Sequence, residues 1–125
     1  MSDSGAGSPR AATALAAIAD AQGSTNRLIE SLNRQWTDIV QASALSANDD
    51  EHDPEGVTVA FERAQVQGLL DQARIDLTDL DRAAARVREG TYWMCVRCAG
   101  PIAEERLAAL PATRTCITCA NKLRR

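Results

Sequence analysis

All four cysteines of the chain fall between Cys95 and Cys119, as two Cys-x-x-Cys pairs separated by residues 99–115. That spacing is the one expected of a four-thiolate zinc site. A two-residue gap lets a tight turn aim two sulfurs at one ion, and the second pair supplies the opposite edge of a tetrahedron. Cys95, Cys98, Cys116 and Cys119 are therefore the candidate ligands of one Zn2+ ion. Four thiolates with no histidine or carboxylate close the coordination shell, so the ion is expected to be structural rather than catalytic. The rival uses of such cysteines are weaker. A redox pair asks for βαβ surroundings that are missing here, and disulfides ask for an oxidising compartment. An iron–sulfur cluster also takes four cysteines. With zinc bound, four thiolates leave a net charge of about −2. Arg97, Arg106, Arg114 and Lys122 lie close in sequence, placed for charge compensation or for docking.

The rest of the chain is too poor in aromatics for a broad core. Its 125 residues include two Trp, one Tyr and one Phe, and the apolar content rests on alanine. Narrow helix–helix seams suit such a composition. No apolar run is long enough to cross a membrane, and the N-terminus lacks the pattern of a secretory signal. A reducing, cytoplasmic setting is expected, in keeping with thiolate ligation. The net charge of −3 is unevenly placed. Residues 1–89 carry eight Arg against fifteen Asp and Glu, and residues 90–125 carry six cations against Glu104 and Glu105. An acidic body argues against tracking DNA phosphates along its length.

Hydrophobic periodicity supplies the architecture. Ser8-Pro9 has the grammar of a helix start, with Ser as N-cap and Pro at the first helical position. From there Ala11, Leu15, Ile18, Gln22, Thr25, Ile29, Leu32, Trp36, Ile39 and Ser43 follow one another in alternating steps of four and three. That is a heptad seam. Gly23-Ser24-Thr25-Asn26 is its weak point, because Gly costs ~1 kcal/mol against Ala inside a helix. The phase carries across it, which predicts one long helix over 9–46, bent there if anywhere. Asp53-Pro54 repeats the helix-start grammar, and a second seam runs through Val59, Val66, Leu70, Ala73, Leu77, Leu80, Ala84 and Val87. Arg82, Arg86 and Arg88 suit the negative end of this helix, and Gly90 sits where a C-terminal glycine cap belongs. Two helices of nearly equal length joined by a short loop predict an antiparallel hairpin. An intermolecular coiled coil is the structural alternative; a monomer is favoured.

The fold class is thus mainly α: a long antiparallel helical hairpin followed by a small four-cysteine zinc module. The expected division is a disordered tail at 1–8, the hairpin at 9–89 with an acidic tip loop at 47–55, and the zinc module at 90–125. The tip gathers Asp49, Asp50, Glu51, Asp53 and Glu55 within seven residues. Helix N-termini favour anions, and Asp53 has a full explanation as an N-cap, so a solvated turn is one reading. The other is a slender rod delivering negative charge at its end. His52 stands alone there, with no second histidine to share a metal.

From Gly90 onward the residues carry a specific pattern. Gly90, Tyr92, Cys95, Cys98, Ile102, Arg106, Leu107, Ala109, Pro111, Cys116 and Cys119 fall in an order and spacing that resemble the DksA/TraR zinc-finger family. The preceding hairpin has that family's layout. The resemblance implies a bacterial transcription regulator that binds RNA polymerase directly, without promoter DNA contacts. It implies a coiled coil that enters the polymerase secondary channel, and tip acids (here Asp49, Asp50, Glu51 and Asp53) that approach the catalytic region. The zinc module and hairpin base would dock on the rim. Guanosine tetraphosphate is a possible co-effector in the family, but no residue here is assigned to it. The tip departs from the Asp-Pro-x-Asp-x-Ala of the family's best-known member. Asp53-Pro54 match, while Gly56 stands in place of the second aspartate and Thr58 in place of the alanine. The chain ends six residues after Cys119, so a shortened C-terminal helix is expected.

Two other function classes compete with this one. A nucleic-acid-binding zinc module would use the basic end, but the sequence offers no stacking platform beside it. A scaffold coiled coil with a stabilising metal would need no polymerase. An enzyme is not expected, because the zinc shell is closed and no Ser/His/Asp or Cys/His constellation exists.

Overall fold

The computed structural model describes residues 7–46 and 54–124. Four helices follow in order: α1 (Pro9–Ser46), α2 (Pro54–Glu89), α3 (Glu104–Ala109) and α4 (Ile117–Leu123). Among the described residues no helix is long and apolar enough to cross a membrane.

The start of α1 is built as its sequence grammar requires. The Ala11 N–H donates to Ser8 Oγ at 3.0 Å, and the Ala12 N–H donates to the Ser8 carbonyl at 2.9 Å. α1 then runs unbroken through Gly23-Ser24-Thr25-Asn26. The reason lies in its buried stripe. All ten seam positions from Ala11 to Ser43 are buried or half-buried, Gln22 and Thr25 among them. Gln22 is held by its Nε2 donating to Asp81 Oδ1 at 2.8 Å. Packing on both sides of the glycine outweighs its local cost of ~1 kcal/mol. On α2 the eight predicted seam residues, Val59 to Val87, are likewise buried or half-buried.

The contacts divide the chain into two units: one is formed by the segments ending at Ser24 and starting at Asp76, and the other is Thr25–Ile75. In the second unit Leu32, Val66 and Leu70 are buried, with Ile29, Trp36 and Ile39 packed against them. The Arg63 guanidinium lies 5.2 Å from the Trp36 ring centroid, so the two helix segments meet antiparallel there. In the first unit the two helix segments share one core with the cysteine-bearing region. Ala11, Ala14, Ile18, Leu80, Ala83, Ala84 and Val87 cluster with Tyr92, Trp93, Ile102 and Leu107. Burying a residue such as Ile18 or Val87 contributes roughly 1.5–3 kcal/mol each.

The end of α2 aims the chain into that region. The Gly90 N–H donates to the Val87 carbonyl at 3.1 Å, and the Thr91 N–H donates to the Arg86 carbonyl at 3.0 Å. These are the two bonds of a Schellman cap, and Gly90 takes the left-handed φ of 80° that such a cap needs. An L side chain there would be strained.

Candidate metal centre

Beyond Gly90 the backbone makes a short antiparallel bridge between Met94 and Pro101. The Ile102 N–H donates to the Trp93 carbonyl and the Cys95 N–H to the Gly100 carbonyl, both at 2.8 Å. The Ala99 N–H returns to the Cys95 carbonyl at 3.0 Å. This small loop is tight enough to put Ala99 at φ 61°, an uncommon conformation for a residue with a side chain. The Gly100 N–H then points at Cys98 Sγ at 3.4 Å. A Cβ on Gly100 would approach that sulfur to 3.3 Å, so a side chain there would require the sulfur to give way by a few tenths of an ångström.

The second pair is set by a helix. Cys116 is the N-cap of α4, and its sulfur accepts the Cys119 N–H at 3.4 Å. Cap and first turn therefore deliver both cysteines together. The four sulfurs lie within 4.8 Å of one another, and all four cysteines are free of disulfides. Cys98 Sγ and Cys116 Sγ are 3.8 Å apart. A tetrahedron with Zn–S bonds of about 2.3 Å has edges of about 3.8 Å. The set is positioned to bind one metal ion, and this separation leaves no room for a multi-iron cluster. Cys95 and Cys119 are buried, Cys116 is half-buried and Cys98 is exposed. Four protein sulfurs leave no open position, so zinc here would hold the loops together rather than activate water.

Electrostatics favour the thiolate at Cys95 and Cys116 and oppose it at Cys119. The Cys98 backbone N–H directed at its sulfur pulls Cys95 down to about 6, against the opposing effect of burial. Cys116 is lowered chiefly by the Cys119 N–H. Cys119 is pushed up to about 12, because it keeps its proton to share with Cys116 and because it is buried. Zinc would displace that shared proton.

Side chains brace the two halves. Tyr92 is buried, and its hydroxyl donates to the Pro111 carbonyl at 2.7 Å. Arg106 donates from Nε to the Thr115 carbonyl at 2.9 Å and from Nη2 to Thr113 Oγ1 at 3.3 Å. It thereby holds the strand of chain that leads into Cys116. Arg114 contributes its backbone, accepting the Val96 N–H at 2.9 Å, while its side chain and that of Arg97 are exposed. Lys122 is exposed on α4.

Two further arginines emerge only in three dimensions. Arg86 reaches the carbonyls of Tyr92, Met94 and Thr113 at 3.3–3.4 Å, joining α2 to both halves of the site. Burial and then the nearby Arg114 lower its pKa, though an arginine remains charged. Arg10 sits over Trp93, its guanidinium carbon 4.2 Å from the ring centroid. Nothing in their spacing separates these two from the other arginines. Of the expected tip residues, Asp49, Asp50, Glu51, His52 and Asp53 lie outside the described residues. Gly56 and Thr58 are exposed on the first turns of α2.

Comparison with known families shows what this site resembles. Residues 88–125 match the prokaryotic dksA/traR C4-type zinc finger. This segment is similar to the DksA/TraR zinc fingers. An uncharacterized protein of Aquifex aeolicus (strain VF5) is 43% identical over 49 residues, which is 39% of this chain. That match spans 34% of the relative's length. The fold is similar to the structure of transcription factor DksA2 from Pseudomonas aeruginosa, with a TM-score of 0.52 and 19% identity over 86% of each chain. At that identity the likeness concerns fold. The DksA/TraR finger and the helical hairpin before it agree with the expected fold class, and the C4 finger agrees with the expected zinc.

Proposed function

We propose that this protein regulates bacterial transcription by binding RNA polymerase. The observation that carries the proposal is the coincidence of two independent likenesses. A DksA/TraR finger occupies residues 88–125, and the chain matches the fold of a DksA transcription factor over 86% of its length. The setting would be the cytoplasm, and the partner a protein rather than DNA.

The mechanism is one of insertion and electrostatics, with no covalent step. The hairpin tip enters the polymerase secondary channel, and the finger docks outside. Asp49, Asp50, Glu51 and Asp53 bring negative charge toward the metal-dependent catalytic region. Asp53 directly precedes Pro54, where α2 begins, so its charge would lie at the start of that helix. Gly56 removes a carboxylate from the first turn of α2, so the loop acids carry more of the charge here. Arg97 and Arg114, exposed on the finger, are placed for docking.

The test is a binding and transcription assay with purified bacterial core polymerase and holoenzyme. Wild type is compared with a variant whose loop 48–52 is replaced by Gly and Ser. The zinc-loaded wild type is expected to bind and to change the lifetime of promoter complexes. The loop variant is expected to bind but to lose that effect. Absence of any polymerase binding by the zinc-loaded chain would overturn the proposal.

A further inference from the structure

The first turns of α1 and the finger enclose a cleft of about 490 Å³ that the polymerase reading does not use. This lies within the size range of small-molecule sites. Its walls are apolar: Ala14 and Ala17 from α1, with Tyr92, Trp93 and Leu107 from the finger. Ala14, Tyr92, Trp93 and Leu107 are each less than a tenth exposed, so the walls belong to the packed core and are not loose surface.

One cation stands over this apolar ground. Arg10 sits over Trp93 in a cation–π contact, its guanidinium carbon 4.2 Å from the ring centroid. Its Nε is buried and makes no hydrogen bond. Glu104 forms a long ion pair with it, Oε1 lying 3.8 Å from that Nε and beyond hydrogen-bond length, on a side chain that is 78% exposed. Buried donors are rarely left without an acceptor. The cleft therefore sets a guanidinium whose hydrogen-bonding capacity is not filled beside apolar walls.

We infer that the cleft binds a small organic monoanion: a carboxylate carried on an aromatic or branched apolar body. The edge of a guanidinium matches a carboxylate in the plane of both groups. A single arginine, with Glu104 at the rim, disfavours a polyanion such as a nucleotide phosphate chain. The two alanines leave space against which a ring can lie beside Trp93.

The test uses the zinc-loaded full chain, labelled with nitrogen-15 and titrated with indole-3-acetate and with its neutral amide. Shifts are expected at the Arg10 side chain, the Trp93 indole N–H and the amides of Ala14, Ala17 and Leu107. The acid is expected to bind about ten-fold more tightly than the amide, as befits a charge-assisted pair. Arg10→Gln should abolish that preference. Ala17→Leu should weaken both compounds by filling the floor. Glu104→Gln should strengthen the acid about two- to five-fold and leave the amide unchanged, because it removes a like charge at a solvated rim. This last variant alters an exposed side chain, so it keeps the test decisive even if Arg10→Gln fails to fold. Equal binding of acid and amide, shifts scattered away from the cleft, or no shifts at millimolar ligand would overturn the inference. So would binding only of peptides that end in such a residue and not of the free acid.

Discussion

Removing the zinc ion tests how much of the helical hairpin depends on the finger. The described helices hold 38, 36, six and seven residues in α1 to α4. If chelation melts the finger alone, the loss is that of α3 and α4, about one-seventh of the helical residues. The shared core argues for more. Of the buried residues on the helix side of that core, Ala11, Ala14, Ala83 and Ala84 bury little, leaving Ile18, Leu80 and Val87. Tyr92 and Trp93 each bring roughly 150–250 Å² of aromatic surface, at most about 4–6 kcal/mol each at 25 cal/mol per Å². Helical segments such as Pro9–Ser24 and Asp76–Glu89 are marginal without such packing. We therefore expect zinc-free protein to lose between one-seventh and one-half of its helical signal, with Thr25–Ile75 retained. Circular dichroism at 222 nm measures the amount, and amide exchange gives the location. Protection should fall at Ile18 and Val87 and persist at Leu32, Val66 and Leu70, and one equivalent of zinc should restore it. Unchanged protection at Ile18 and Val87 in zinc-free protein would refute the reasoning, because the helix base would then stand without the finger.

Arg86→Lys should lower the stability of the zinc-loaded finger by about 1–2 kcal/mol, since one ammonium cannot reach the three carbonyls of Tyr92, Met94 and Thr113; denaturant unfolding measures it. Ile18→Ala should cost about 2–5 kcal/mol at a fully buried site, whereas Phe61→Ala, at 74% exposed, should stay within about 0.5 kcal/mol by the same assay. Asp53→Asn should leave helix content and melting unchanged, because Asn caps as well as Asp, while weakening any effect on polymerase in an in vitro transcription assay. Equal transcription by an equally stable variant would remove that carboxylate from the mechanism. Zinc affinity should fall as pH falls, because protons compete for the thiolates. Cys95 is held near 6, so above that pH it is already deprotonated and adds no proton to those released on binding. Below about 6 it binds a proton of its own, and the dependence should steepen; competition with a chromophoric chelator across pH 5–8 checks this.

What could be read from the sequence were features written in local grammar or strict periodicity. Ser8-Pro9 and Gly90 announce their caps because an N-cap oxygen and a left-handed glycine act within a few residues. The heptad steps announced the buried stripe, and the paired Cys-x-x-Cys turns announced their convergence, since each turn is itself local. Gly23-Ser24-Thr25-Asn26 shows the reverse case, where a correct local weakness is overridden by a seam continuing on both sides. The contacts that Arg10 and Arg86 make with the site were invisible for a different reason. Their partners, Trp93 for one and the Thr113 carbonyl for the other, are 83 and 27 residues away, and no spacing rule links them.

The buried alanines connect these points. A heptad seam describes a helix with one neighbour, and in Thr25–Ile75 the buried set is that narrow. In the unit that contains the finger the helices have a second neighbour, and burial widens to Ala14 and Ala83, which stand off the seam. Small residues are needed there because Tyr92 and Trp93 are bulky and already fixed, one by its hydroxyl on Pro111 and the other beneath Arg10. A larger side chain at Ala83, which is 1% exposed, would have to shift the core it shares with Tyr92 and Trp93. It would thereby displace the loop whose next turn carries Cys95 and Cys98. The alanine content that first looked like a mark of thin seams is, at this end, what lets a metal-bearing loop sit flat on two helices.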